Sequence, residues 1–185
     1  MALGARTLPP DSAHWFGTDE YGRDYFTRAL YGGQISLMVG FLAMLFSTLI
    51  GTVVGTVSGY FGGWLDNLMM RAVDILMAIP AFFLLLVVNA YLKPGVDNII
   101  LIISLLTWMN MSRLVRAETL SVKEREYVLY ARASGEHPLR IIVRHIIPGV
   151  LPTIIVAATL NIASAILMES TLSFLGLGVQ APAAS

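Results

Sequence analysis

The sequence predicts an all-α polytopic membrane protein, a bundle of about four transmembrane helices with one further helix on the cytoplasmic side. Hydrophobic residues make up 56% of the 185 residues and charged residues only 13%, whereas about 25% of an ordinary globular domain is charged. The uncharged residues gather in long runs. More than half of the 12 lysines and arginines lie in and around one loop between two of these runs.

Four runs are expected to cross the membrane, at residues 35–58, 75–92, 98–115 and 146–169. In the first, no charged side chain occurs from Ile35 to Val57, and a helix of that length reaches about 35 Å, enough for a hydrocarbon layer of about 30 Å. The apolar part of the third run extends only from Ile99 to Met111. This run is long enough to cross if Arg113 extends its charged end to the interface.

The basic residues predict the orientation of the chain. By the positive-inside rule the loop 116–145 is cytoplasmic, because it and its edge hold Arg113, Arg116, Lys123, Arg125, Arg132, Arg140 and Arg144. Residues 1–33 are then an external segment with a short interfacial helix, residues 34–178 are the membrane domain, and residues 179–185 are a cut-short external loop. An external first segment holding Arg6, Arg23 and Arg28 needs a preceding span for its translocation, so we expect a helix before it.

Composition gives no support to several functional classes. The net charge is zero, so no basic surface is expected to bind nucleic acid. Cysteine is absent, and His14, His137 and His145 lack metal-ligand spacing, so we expect no bound metal or other cofactor. Neither Lys93 nor Lys123 follows a glycine, which excludes a phosphate-binding Gly-x4-Gly-Lys-Ser/Thr loop. The chain is therefore not expected to be an enzyme or to hydrolyse ATP.

Small residues recur at every fourth position of the first span, at Ser47, Gly51, Gly55, Gly59 and Gly63. Such a stripe lets a second helix approach closely in lipid. It indicates either packing within the bundle, which is the simpler interpretation, or a subunit interface. Gly59 to Gly63 is equally consistent with the end of the helix.

Several residues within the spans are candidates for a pathway or a gate. Pro80 is expected to kink the second span, either as a gate hinge or simply to shape the helix. Asn89, Asn110 and Asn161 lie in or near spans, where amides line polar paths or hydrogen-bond between helices. Glu169 is ionisable at membrane depth, although its distance from Ile146 places it near the outer interface. Packing against the following segment is as good an interpretation as substrate contact.

Charged residues near the ends of the spans are expected to be structural. Arg71 and Asp74 have the three-residue spacing of an ion pair on one helix. Asp19, Glu20 and Asp24 follow Thr18 in the external segment, and they suit a helix start better than a catalytic pair of carboxylates.

The cytoplasmic loop carries the most informative pattern. A helix is predicted with a face formed by Val122, Glu126, Tyr127, Tyr130, Ala131 and Ser134. Gly135 is a natural end for this helix, and Pro138 follows it at the usual distance. A second amphipathic turn, Leu139 to Ile147, then leads to Pro148 and the last span. A short helix held in this way between two spans is suited to act as a lever on both.

Three motifs carry a resemblance to a known family. The spacing of Ala131, Gly135 and Pro148 resembles the EAA loop of ABC importer permeases. The sequence from Arg140 to Pro148 is similar to the corresponding sequence in the peptide and nickel importer branch of that family. The loop departs from the general pattern at Leu129, Tyr130, His145 and Ile147. The stretch 14–40 resembles that branch's Gly-Thr-Asp-x-x-Gly-Arg-Asp motif, and residues 169–185 resemble its segment before the final span.

The resemblance implies a type I ABC importer permease fold in a bacterial or archaeal inner membrane. It implies transport of peptides or small solutes such as nickel, a second homologous permease subunit, cytoplasmic ABC ATPase subunits and an extracytoplasmic substrate-binding protein. Relatives have six spans, so the first and last helices are expected to be missing here. The coupling residues that it implies are Glu126, Tyr127, Ala131, Ala133, Gly135 and Pro148.

Other functional classes are open on the residues alone. A secondary transporter or channel acting without an ATPase would have charged or broken helices near the midplane. A membrane scaffold that transports nothing would not need a loop helix able to transmit force to two spans. The loop helix itself has one further interpretation, a helix that lies on the lipid headgroups.

Overall fold

The computed structural model describes residues 4, 6–91 and 95–176. Its α-helices are α1 Tyr25–Phe61, α2 Gly63–Ala78, α3 Ala81–Tyr91, α4 Val96–Val122, α5 Glu126–Ala133, α6 Pro138–Ile141 and α7 Ile147–Phe174. A π-helical turn, Ile142–Ile146, joins α6 to α7. Extended pairing in the described residues is confined to an isolated bridge between Thr18 and Asp24. The all-α prediction is confirmed.

Among the described residues, three helices are long and apolar enough to cross a membrane: Tyr25–Phe61, Val96–Val122 and Pro138–Phe174. They contain the runs expected at 35–58, 98–115 and 146–169. The short helix expected within residues 1–33 is instead the beginning of α1, which continues without a break from Tyr25. The segments 92–94 and 179–185 lie outside the described residues.

The helix expected over 75–92 is interrupted. Ile79 has extended backbone, with φ −72° and ψ 122°, and separates α2 from α3. The following residue, Pro80, disfavours helical backbone at the residue before it and lacks an N–H of its own. The kink expected at Pro80 is therefore a break, with a separate helix on each side.

The glycines of α1 form the main contact within the bundle. A Cβ atom on Gly51 would lie 2.6 Å from Met111 Cβ, one on Gly55 would lie 2.5 Å from the Ser112 carbonyl oxygen, and one on Gly59 would lie 2.9 Å from Thr119 Cβ. The residue numbers of the contacts increase in the same direction on both helices, so α1 and α4 run parallel. Packing within the bundle, the simpler interpretation of the stripe, is thus confirmed for these three glycines. Gly63, in contrast, begins α2.

The opposite side of α1 carries large exposed apolar side chains at four-residue spacing: Leu37, Phe41, Leu45, Leu49 and Val53. A helix with small residues against its neighbour and large apolar residues outward is typical of a bundle in lipid.

Two apolar cores lie at opposite ends of the bundle. The outer core consists of Val39, Ala43, Ile99, Ile100, Ile103, Ala165 and Leu172. The inner core consists of Met111, Val115, Val122, Val128, Ala131, Ile141, Ile142, Ile146, Val150 and Ile154. Because the inner core includes residues of α5, the loop is built into the bundle.

The glycine contact generates a first prediction. Gly55→Ala should lower the melting temperature of the assembled protein in detergent, because the new methyl group would meet the backbone at Ser112; overpacking of this kind costs about 1–3 kcal/mol. The matched control is Gly33→Ala, since nothing lies within 4 Å of a Cβ atom there. The control should leave the melting temperature unchanged or slightly raised. Equal behaviour of the two variants would contradict the described α1–α4 contact.

Candidate functional site

The candidate site is the loop that connects α4 to α7. A turn of three residues, Lys123 to Arg125, separates α4 from α5, which begins at Glu126. The Arg125 carbonyl oxygen accepts hydrogen bonds from the N–H groups of Val128 and Leu129. An eight-residue helix has little stability of its own, so α5 depends on its packing.

One face of α5 belongs to the inner core. Val128 is fully buried, and Ala131 is only 4% exposed. Of the residues assigned to one helical face from the sequence, Glu126, Tyr127, Tyr130 and Ser134 are exposed. The prediction was wrong for Val122 and Ala131, which belong to the inner core. Val122 ends α4, before the turn that precedes Glu126. The Ala131 side chain faces the chain's own core and is not available for an outside partner.

The other face of α5 is largely exposed. Tyr130 is 75% exposed, and Tyr127 and Leu129 are each exposed by more than two fifths. Glu126 and Ala133 are exposed beside them. This outer face therefore presents two aromatic rings, an apolar side chain and a carboxylate on a helix whose opposite side is fixed.

Gly135 ends α5 in the expected way. Its φ of +78° is a conformation that glycine adopts without steric cost. The N–H of Gly135 donates to the Arg132 carbonyl oxygen, at 3.1 Å, and the N–H of Glu136 donates to that of Ala131, at 3.2 Å. These are the two hydrogen bonds of a Schellman motif. Gly135 is therefore required by the backbone, and open space surrounds it.

The two halves of the loop are joined through His145. Its Nε2 atom lies 3.1 Å from Glu136 Oε2, and its ring centroid lies 6.2 Å from that of Tyr127. Arg140 Nε lies 3.5 Å from the other oxygen of Glu136. The end of α5 and the beginning of α7 are therefore held together by side chains.

Pro148 is the second residue after the π-helical turn. The Ile147 N–H donates to the Ile142 carbonyl oxygen, one residue further back than in an α-helix. The wider turn precedes a residue that cannot donate and whose ring crowds the preceding turn. Pro148 thus shapes the junction between the loop and α7, and its side chain is exposed.

The structure does not bring the candidate pathway residues together as one site. Pro80 marks the break between α2 and α3. Asn110 is exposed on α4, and Asn161 is half-buried on α7. The side chain of Asn89 lies outside the described part of the chain.

Glu169 is fully buried between α1 and α7. Its carboxyl oxygens accept hydrogen bonds from the Ser36 hydroxyl, at 3.2 Å, and from the Ser173 hydroxyl, at 2.8 Å. Burial of a carboxyl group requires such partners. Of the two interpretations of Glu169, this geometry favours packing over substrate contact.

The segment before α1 is held by hydrogen bonds to two aspartates. Buried Asp19 accepts hydrogen bonds from the N–H groups of Tyr21 and Arg23 and from the guanidinium groups of Arg23 and Arg28. Asp24 caps α1 by accepting from the Thr27 N–H, at 3.1 Å. The prediction of a helix start is confirmed.

Sequence reasoning missed an ion pair at the inner end of the bundle. Arg116 on α4 donates from Nε and Nη2 to the two carboxyl oxygens of Asp66 on α2, at 2.7 Å each. These hydrogen bonds from the Arg116 guanidinium, opposed by partial burial, lower the pKa of Asp66 below its ordinary value. The predicted pair of Arg71 and Asp74 is confirmed at 2.9 Å, and Arg113 joins it from α4. The sequence feature that could have indicated these pairs is the position of Asp66, Asp74, Arg113 and Arg116 at the ends of the apolar runs.

In the described part of the chain, no group of three His, Asp or Glu side chains is arranged to hold a metal ion.

These features define a class: a multi-pass helical membrane subunit in which the loop between α4 and α7 shares a core with the membrane helices. Residues 51–185 match the family described as "Binding-protein-dependent transport system inner membrane component". The chain belongs to that family.

Curated relatives match almost the whole chain. It is 45% identical over 185 residues to the dipeptide transport system permease protein DppC of Bacillus subtilis (strain 168), covering 100% of this chain and 58% of that protein. It is 46% identical over 175 residues to the oligopeptide transport system permease protein OppC of Escherichia coli (strain K12), covering 95% of this chain and 58% of that protein. The chain thus spans less than two thirds of the length of these relatives.

A solved structure has the same fold. The MetNI methionine ABC transporter, in an inward-facing conformation, aligns with a TM-score of 0.73 at 21% identity, over 82% of this chain and 76% of that one. At this identity the similarity concerns the fold alone.

The segment before α1 generates a prediction about pH. Although burial favours the protonated form of Asp19, the N–H groups of Arg23 and Tyr21 and the Arg23 guanidinium lower its pKa below the ordinary value. A carboxylate with a lowered folded pKa stabilises the fold above its unfolded pKa of about 3.9, and this stabilisation is lost as the pH falls through the folded pKa. Asp19→Asn should therefore lower the melting temperature at pH 7, and the difference from the unsubstituted protein should narrow below about pH 4.

The matched control for this test is Glu20→Gln, since Glu20 is exposed in the same turn. The control should leave the melting temperature unchanged at both pH values. A difference between Asp19→Asn and the unsubstituted protein that stays constant between pH 7 and pH 3 would contradict a charged, hydrogen-bonded Asp19.

Proposed function

We propose that this chain is the membrane permease subunit of an ATP-driven importer for peptides or a related small solute. The observation that carries the proposal is the two-sided construction of α5. Val128 and Ala131 belong to the inner core, while Tyr127 and Tyr130 face outward. A helix with one fixed face and one free aromatic face is suited to receive force from a cytoplasmic partner. The dipeptide and oligopeptide permeases among the relatives support the solute class.

The proposed partner at α5 is a separate cytoplasmic ABC ATPase, because this sequence has no phosphate-binding loop of its own. ATP binding would draw two ATPase subunits together and displace α5. Since α5 shares the inner core with α4 and α7, its displacement would move both helices. A second homologous permease would complete the pathway, and an extracytoplasmic binding protein would deliver the solute.

The proposed contact surface for the ATPase is the outer face of α5 and its end. It consists of Glu126, Tyr127, Tyr130, Ala133 and Gly135. Ala131 is assigned to the inner core instead, because only 4% of it is exposed. Pro148 has a positioning role at the start of α7.

The break at Ile79–Pro80 is the proposed gate hinge, because the chain there lacks the continuous hydrogen bonding that stiffens a helix. Asn110 and Asn161 are proposed to face the pathway, because an exposed or half-buried amide is unfavourable against lipid. A transporter without an ATPase would be expected to carry an available ionisable group in its path. Glu169, buried at membrane depth, is instead engaged by Ser36 and Ser173.

The proposal predicts that Tyr130→Ala weakens association of the ATPase with the assembled transporter by about tenfold or more, as expected for an aromatic anchor at an interface. ATP-driven solute uptake should fall with it. The melting temperature should change little, because Tyr130 is exposed. Copurification of the ATPase and uptake into proteoliposomes measure the two effects.

A matched control is Tyr91→Ala, at the end of α3, where the tyrosine is 86% exposed on the predicted external side. This control should leave ATPase association unchanged. Normal association and uptake in Tyr130→Ala would contradict the assignment of α5 as the coupling helix.

A further inference from the structure

The corner between α1 and α2, residues 58–66, is held by one shared carboxylate. Asp66 accepts two hydrogen bonds from Arg116 on α4, at 2.7 Å each, and a third from the Ser58 hydroxyl on α1. A two-bond arginine–carboxylate pair fixes the orientation of its partners as well as their distance. This single side chain therefore joins three helices at the inner end of the bundle.

The same corner contacts the loop between α4 and α7 at two points, one before α5 and one on α5. Before α5, Lys123 Nζ donates to the Gly59 carbonyl oxygen, at 2.9 Å, in the last turn of α1, where a cation is favourable. On α5 itself, the Arg132 guanidinium lies 5.9 Å from the ring centroid of Tyr60, within the range of a cation–π contact. A displacement of α5 is therefore received at the corner directly.

Beyond the corner, α2 is fixed to α4 along its length. Met70 and Val73 pack against Met109, and Asp74 pairs with Arg113. Only after these contacts does the helix end, at the Ile79–Pro80 break. A helix fixed in this way moves as a unit with α4, and the break is the first position at which its direction is free to change.

We propose that Asp66 and Arg116 are positioning residues that transmit the movement of the cytoplasmic loop to α2 and so to the Ile79–Pro80 break. The inference rests on the proposed function and adds a second route to it, since the inner core carries movement of α5 to α4 and α7 but holds no residue of α2. Without the ion pair, α5 would still contact its partner, but α2 would no longer follow it.

The test uses the assembled transporter in proteoliposomes and measures solute uptake, ATP hydrolysis and melting temperature. Asp66→Asn and Arg116→Gln should each lower the ratio of solute imported to ATP hydrolysed by about tenfold, within the usual range of coupling between sites. ATP hydrolysis itself should persist. The double variant should be no worse than either single one, because both remove the same interaction.

The matched control is Glu118→Gln, which also turns a carboxylate into an amide near the inner end of α4 but removes no ion pair found in the described residues. The control should keep the normal ratio. An unchanged ratio in Asp66→Asn overturns the proposal, and so does a lower melting temperature with an unchanged ratio, which would mean that the pair is only structural. Additive losses in the double variant overturn it as well.

If Asp66→Asn does not assemble, Tyr60 provides the second test. Tyr60→Leu removes the ring near Arg132 and should lower the ratio by about threefold, as expected for a lost cation–π contact. Tyr60→Phe keeps the ring and should retain the ratio; equal ratios in these two variants overturn the proposal. Tyr130→Ala separates the two hypotheses: if it disrupts ATPase association while the Asp66 and Tyr60 variants stay coupled, only this inference fails.

Discussion

The close contact between α1 and α4 is the constraint on which the rest of the structure depends. Gly51, Gly55 and Gly59 bring the two backbones together, because a side chain at any of them would overlap α4. In lipid, where apolar side chains gain little by leaving their surroundings, close packing of this kind is a main source of helix association. The contact also brings the inner ends of α1 and α4 side by side, where the Asp66–Arg116 pair forms.

The structure of the loop between α4 and α7 follows from this contact. The inner ends of α4 and α7 provide an apolar surface, and α5 covers it with Val128 and Ala131. Gly135 then reverses the chain, and the contact of Glu136 with His145 connects the end of α5 to the start of α7. The loop is therefore built into the bundle, and Tyr130 on its outer face remains 75% exposed.

Features that depend on local order could be predicted from the sequence. Three of the four uncharged runs coincide with helices long and apolar enough to cross a membrane, and Gly135 predicted the end of the loop helix. Features that depend on distant residues could not. Val122 was wrongly placed on one helical face with residues of α5, because a turn of three residues separates it from Glu126. The Asp66–Arg116 pair joins side chains 50 positions apart, and Glu169 meets Ser36 across 133 positions, so both depend on helix packing.

The proposed contact between the outer face of α5 and an ATPase can be tested directly by crosslinking. Because the sequence has no cysteine, a single photoreactive probe attached through Ala133→Cys reports on one exposed position of that face. In native membranes that contain the assembled transporter, the account predicts a crosslink to the ATPase subunit whose yield changes with ATP. Crosslinks to lipid alone would contradict it and would mean that α5 lies on the membrane surface.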